Sequence, residues 1–136
     1  MGPAQRARTE EIQMAKILIV DDDSHFIDVC RLILEREGFE VRTASNRQDG
    51  LRAIEESIPD LIILDVMMEF PDDGFALSRE LRSNGFSAPI LMLTAISRVT
   101  GLDYDKDDEV VLVNEFLEKP LGAETLVSKI REWLDN

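Results

Sequence analysis

Leu61-Ile62-Ile63-Leu64-Asp65 is an apolar run that ends in one carboxylate. Pro59-Asp60 precede it and Pro71-Asp72-Asp73-Gly74 follow, so turn signals bound it on both sides. A short continuous apolar run of this kind predicts a strand buried on both faces, as in a parallel sheet. Asp65 then stands at the strand's carboxyl end, the edge where ligands bind in open α/β sheets. A helix cap or solvated turn residue is the plainer role for any single such Asp. A second acidic site elsewhere in the chain shifts that balance.

The second site follows the first apolar run, Lys16-Ile-Leu-Ile-Val20, which leads directly into Asp21, Asp22 and Asp23. If the two strands are neighbours, their carboxylates share one small pocket. Mutual repulsion there raises pKa values or demands a cation. An all-oxygen set suits a hard ion, Mg²⁺ before the softer transition metals. The plainer role, capping the next helix, fits one acid of the triplet and is assigned to Asp23 or Ser24.

The chain has 136 residues, 44% of them hydrophobic, which predicts one domain with a sizeable core. We place that domain at residues 16–136 and read 1–15 as a leader or flexible tail, polar and without a repeating apolar face. A formal net charge of −13 argues against binding nucleic acid or an anionic membrane surface, both of which need a basic face. The single cysteine, Cys30, excludes a disulfide framework and reads as a small core residue. No apolar stretch approaches the ~20 residues of a membrane span and no signal sequence is evident, so the expected location is cytoplasmic.

Periodicity predicts a first helix near Ser24 to Glu37 with Gly38 as its stop, and a short strand over Phe39 to Ala44. His25 falls in that helix's first turn and is expected on the surface. Ser45 or Asn46 caps a second helix, roughly Arg47 to Ser57, and a third spans Gly74 to Asn84 with Gly85 after it. Ala88 to Thr94 and Glu115 to Glu118 read as strands, and Leu121 to Leu134 as the last helix. Strand and helix thus alternate through the chain, which implies an α/β, doubly wound, five-stranded parallel sheet with helices on both faces.

The predicted strand ends carry Asp21 and Asp22, Asp65, Thr94, and Lys119. Their chemistry differs: Asp65 is a candidate nucleophile, the acids a Mg²⁺ site, Thr94 a hydroxyl donor to a phosphoryl oxygen, Lys119 a cation for transferred charge. Phosphoryl transfer needs this combination, because its transition state spreads negative charge over three oxygens. Lys119 could instead serve only in an ion pair. Pro120 after it suits a constrained peptide that aims the lysine inward, and the cis form stays open.

With these residues assembled, the chain resembles the response-regulator receiver domains of two-component signalling. The resemblance rests on Ile-Leu-Ile-Val-Asp-Asp-Asp at 17–23, Leu-Asp-Val-Met-Met at 64–68, Leu-Thr-Ala at 93–95 and Phe-Leu-Glu-Lys-Pro at 116–120, and spans Lys16 to Leu134. It implies the flavodoxin-like strand order 2-1-3-4-5 and phosphorylation of Asp65 by a histidine kinase or histidine phosphotransfer protein. It also implies that Asp22, Asp65 and the backbone carbonyl of Met67 hold Mg²⁺, with Asp21 acting through water, and that Thr94 and Lys119 contact the phosphoryl group. Phe116 matches the aromatic switch position coupled to Thr94, and an ordinary core role for it is equally open. Output is implied at the face built by the chain after the fourth strand, the fifth strand and the last helix. The family's activity is self-catalysed transfer and hydrolysis on one aspartate, not turnover of an outside substrate.

The chain departs from the family pattern in two places. Glu69-Phe70-Pro71-Asp72-Asp73-Gly74 is one residue longer than the usual metal-side loop, and the stretch after Thr94 lacks the usual apolar stripe. The helix expected there is short or poorly ordered, which leaves the partner and any homodimer open. Asp103, Asp105 and Asp107 have calcium-loop spacing, but Asp108 stands where that loop needs Gly and Asn114 where it needs Glu, so a solvated acidic loop is expected. The resemblance implies that Met67 and Ile96, two residues beyond Asp65 and Thr94, flank the path of hydrolytic water; both are apolar, which predicts a long-lived phosphoryl group.

Three rivals compete with this reading. A Mg²⁺-dependent phosphatase wants a carboxylate two residues beyond Asp65, where Met67 stands. A flavin module needs a phosphate loop where Asp21 to Asp23 would repel phosphate. A receiver-like module that only binds proteins has no use for the acid, Thr and Lys set. The chain is either a stand-alone receiver or a fragment of a longer regulator.

Overall fold

Four apolar residues of the central run, Leu61 to Leu64, are fully buried, each contributing about 1.5–3 kcal/mol by leaving water. They form β3 (Leu61–Asp65), and the first run forms β1 (Lys16–Val20). The other strands are β2 (Glu40–Ala44), β4 (Ile90–Thr94) and β5 (Glu115–Glu118). The helices are α1 (Ser24–Arg36), α2 (Arg47–Glu56), α3 (Asp73–Ser83) and α4 (Ala123–Asp135). The computed structural model describes residues 15–66, 73–94, 113–119 and 121–135. The expected tail up to residue 14, the lengthened loop at 67–72, the segment 95–112 with its acidic run, and Pro120 lie outside the described residues.

The sheet is parallel throughout with order β2-β1-β3-β4-β5, the predicted doubly wound arrangement. Alternation along each strand sorts the core into two layers. Leu18, Val20, Ile62, Leu64 and Met92 face α2 and α3. Ile17, Ile19, Ile63, Leu93 and Leu117 face α1 and α4. Cys30 is buried in the second layer. Burial, with the nearby Asp21 charge adding and Lys119 opposing, pushes its thiol up to about 11.

Several boundaries differ by a residue or two from expectation, for identifiable reasons. The Phe39 amide still donates to Leu34 O, closing α1, so the β2 ladder begins at Glu40. Pro89 has no N–H, and its carbonyl accepts from Ile62, so β4 begins at Ile90. The last helix starts at Ala123, two residues after Leu121. Gly38 and Gly85 stop α1 and α3 with φ of 95° and 93°, conformations that disfavour a side chain. Asp23, of the two residues proposed, is the N-cap of α1, and Asn46 is that of α2.

Two contacts fix β5 and α4. Glu115 on β5 accepts a hydrogen bond from Trp133 Nε1 at 2.8 Å and pairs with Lys129 at 2.7 Å. Next to Glu115 in sequence, Asn114 Oδ1 accepts from Arg82 of α3 at 3.1 Å, and the same guanidinium donates to the carbonyls of Phe86 and Ala88 at 2.9 Å. Among the described residues, no helix is long and apolar enough to cross a membrane.

Candidate functional site

Strand alternation also decides where the polar residues at the strand ends point. Asp21, Asp65 and Lys119 continue the parity of Ile19, Ile63 and Leu117, toward α1, whereas Thr94 and Phe116 continue the parity of Met92, toward α3. Asp21 is completely buried. Its amide donates to Ala44 O at 3.0 Å, and its Oδ1 accepts from the Asp23 amide at 2.9 Å. Its Oδ2 has no directed hydrogen-bond donor among the described residues. The Lys119 ammonium, 2.8 Å away, meets that oxygen as a charge.

The same ammonium lies 3.9 Å from Asp65 Oδ2, and 4.5 Å from the centroid of the Phe26 ring. Burial alone would lower the Lys119 pKa, but contact with Asp21, and the charges of Asp65 and Asp23, hold it above its usual value. Lys119 is therefore a cation at any physiological pH. Asp22 is exposed, and carboxylate oxygens of Asp21, Asp22 and Asp65 lie within 4.8 Å of one another. Asp23 contributes to capping: its side chain accepts from the Phe26 amide at 3.1 Å. His25 is exposed and is not a member of this acid group.

Thr94 is buried at the end of β4, and its carbonyl accepts from the Lys119 amide at 2.9 Å, which ties the lysine's backbone to β4. Phe116 is partly buried, and its ring lies 6.1 Å from that of Phe75, tilted by 56°. The Met67 carbonyl and Ile96, both assigned roles above, lie outside the described residues.

Sequence reasoning missed two contributors. The Gly74 amide donates to Val66 O at 2.9 Å, and a Cβ on Gly74 would stand 2.3 Å from Asp65 O and 2.8 Å from Val66 Cα. The first turn of α3 therefore packs directly on the backbone that carries Asp65. A glycine in a helix's first turn, where Ser, Asp or Glu would serve better, was the available signal. The second is Phe26, which falls inside the predicted first helix with no hint of a cation above its face. The signal there was its place three residues after the acid triplet, on the turn facing the site.

Residues 17–131 match the response regulator receiver domain family. The chain belongs to that family. Among curated relatives, a probable transcriptional regulator ycf27 of Pyropia yezoensis is 38% identical over 128 residues, covering 91% of this chain and 49% of its own length. The alkaline phosphatase synthesis transcriptional regulatory protein PhoP of Bacillus subtilis strain 168 is 35% identical over 120 residues, covering 85% of this chain and 47% of its own. The receiver domain thus spans about half the length of these curated relatives. Among solved structures, NtrX from Brucella abortus aligns at a TM-score of 0.78 with 30% identity, over 90% of this chain and 27% of that one. A CheY-like receiver domain protein from Methanospirillum hungatei JF-1 aligns at 0.74 with 28% identity, over 90% and 94%.

Proposed function

We propose that the receiver domain accepts a phosphoryl group on Asp65 from a histidine kinase or histidine phosphotransfer protein, and passes the change to a protein partner through β5 and α4. The observation that carries this reading is the convergence of Asp21, Asp22 and Asp65 oxygens on one point with the Lys119 ammonium beside two of them. An Asp65 oxygen attacks phosphorus, the bond from phosphorus to the donor imidazole breaks, and the ring nitrogen keeps the electron pair and takes a proton. The product is an acyl phosphate on Asp65.

The oxygen-only donor set of Asp21, Asp22 and Asp65 fits a hard divalent cation. Asp22 and Asp65, with the Met67 carbonyl, would hold Mg²⁺, and Asp21 would act through water. Bound there, Mg²⁺ supplies charge to neutralise the transferring oxygens. Lys119 supplies a second cation and Thr94 a hydroxyl, and Phe116 follows Thr94 as the switch. Phe116's neighbour Phe75 sits in the first turn of α3, so a change of its rotamer meets the helix that packs on Asp65. A net charge of −13 offers nucleic acid no basic face, so the domain's own partners are proteins, in the cytoplasm.

Incubation with acetyl phosphate and Mg²⁺, followed by intact mass, tests the proposal. A single phosphoryl adduct is expected, absent without Mg²⁺ and absent in Asp65→Asn. No adduct under any condition would leave a receiver-shaped protein-binding module as the better account.

A further inference from the structure

We propose that Phe26 is a positioning residue for Lys119, seating the ammonium by cation–π contact so that it stays in reach of Asp65. Four residues form a closed circuit of contacts. The Lys119 ammonium meets Asp21 Oδ2 at 2.8 Å. Asp21 Oδ1 accepts from the Asp23 amide at 2.9 Å, and Asp23 Oδ1 accepts from the Phe26 amide at 3.1 Å. The Phe26 ring then returns to the ammonium, 4.5 Å from its centroid. The cap that starts α1 is therefore the same feature that fixes the ring.

Lysine needs such a seat more than arginine would, since its charge sits on a flexible four-carbon stem. Asp21 alone would draw the ammonium toward its own buried oxygen and away from Asp65, which is 3.9 Å off. An aromatic face attracts a cation without carrying a charge, so it can share the ammonium without competing for a phosphoryl oxygen. A seated cation reorganises little when charge builds at Asp65, which is the condition for it to lower the barrier.

The inference rests on the phosphoacceptor reading, and the test separates the two. Phe26→Leu keeps the apolar bulk and removes the π face, Phe26→Met gives a second such variant should Leu fold poorly, and Phe26→Tyr keeps the face. Uptake from acetyl phosphate with Mg²⁺ is expected to slow by about threefold to tenfold in Leu and Met, and to stay within about twofold of wild type in Tyr. In a Lys119→Ala background, Phe26→Leu is expected to add no further slowing. Independently of phosphorylation and metal, the Lys119 ε-methylene protons should show an upfield ring-current shift in wild type and Tyr that is lost in Leu. Equal uptake by wild type and Leu, equal slowing in Leu and Tyr, full slowing persisting without Lys119, or an absent ring-current shift would each overturn the inference while phosphorylation of Asp65 stands. No uptake by wild type would remove the phosphoacceptor reading, and the inference with it.

Discussion

Gly74 shows how much a site depends on an atom that is missing. Its bare Cα lets α3 begin against the backbone of Asp65 and Val66, where a methyl would lie 2.3 Å from a carbonyl oxygen. Neither neighbour can yield, since both are backbone at the end of a strand buried on both faces. Gly74→Ala is therefore expected to cost about 2 kcal/mol or more in urea unfolding, against the near-zero or stabilising effect of Gly→Ala at an unstrained helical position. Because the displaced atoms carry Asp65, the same variant is expected to take up phosphoryl groups more slowly even where it remains folded. Urea unfolding and acetyl phosphate uptake on one sample check both. Asp21 and Asp23 teach a related lesson: the two outer acids of one triplet serve an ion pair and a helix cap, and only geometry distinguishes them.

At the scale of elements, the contact between α4 and β5 has a defined pH dependence. Burial would raise the Glu115 pKa, but hydrogen bonds from Lys129 and Trp133 outweigh it and hold the carboxyl below its ordinary value of 4.5. A group depressed in the folded state adds stability that is fully present above the unfolded value and disappears as pH falls through the folded one. The link between β5 and α4 is thus intact at neutral pH and weakens only below about pH 4.5. Trp133 is the chain's single tryptophan, so its emission reports this directly. An acid titration is expected to show an emission change centred below pH 4.5 that is absent in Glu115→Gln.

For the whole molecule, a parallel sheet covered by helices on both faces follows from a few apolar runs and the right-handed crossover and is readable from them alone, whereas the strand order came only with the resemblance to the receiver family. That Asp21, Asp22, Asp65 and Lys119 stand together was readable because all four fall at strand ends, and the sheet gathers strand ends. What could not be read was contact between side chains on different elements. The Phe26 ring under Lys119 and the Gly74 backbone approach depend on where α1 and α3 sit to within an ångström, and no local pattern encodes that. The burial of Asp21 had a similar origin, for its parity became decisive only once α1 covered that face.

The clustering of acids at the strand ends also has a cost borne by the entire fold. Asp21, Asp22 and Asp65 crowd together with one nearby ammonium shared between Asp21 and Asp65. Without a divalent cation, repulsion within this group opposes folding, and exposed Asp22 is the member whose charge can be removed with least damage to packing. Asp22→Asn is expected to raise the thermal midpoint in chelator by a few degrees, roughly the effect of 1 kcal/mol in a domain of this size, whereas added Mg²⁺ is expected to stabilise wild type and not this variant. Scanning calorimetry in both conditions checks this. On the proposed function the chain trades sturdiness for readiness: selection for stability alone would erode the acidic corner first, leaving a more durable protein with no acceptor site.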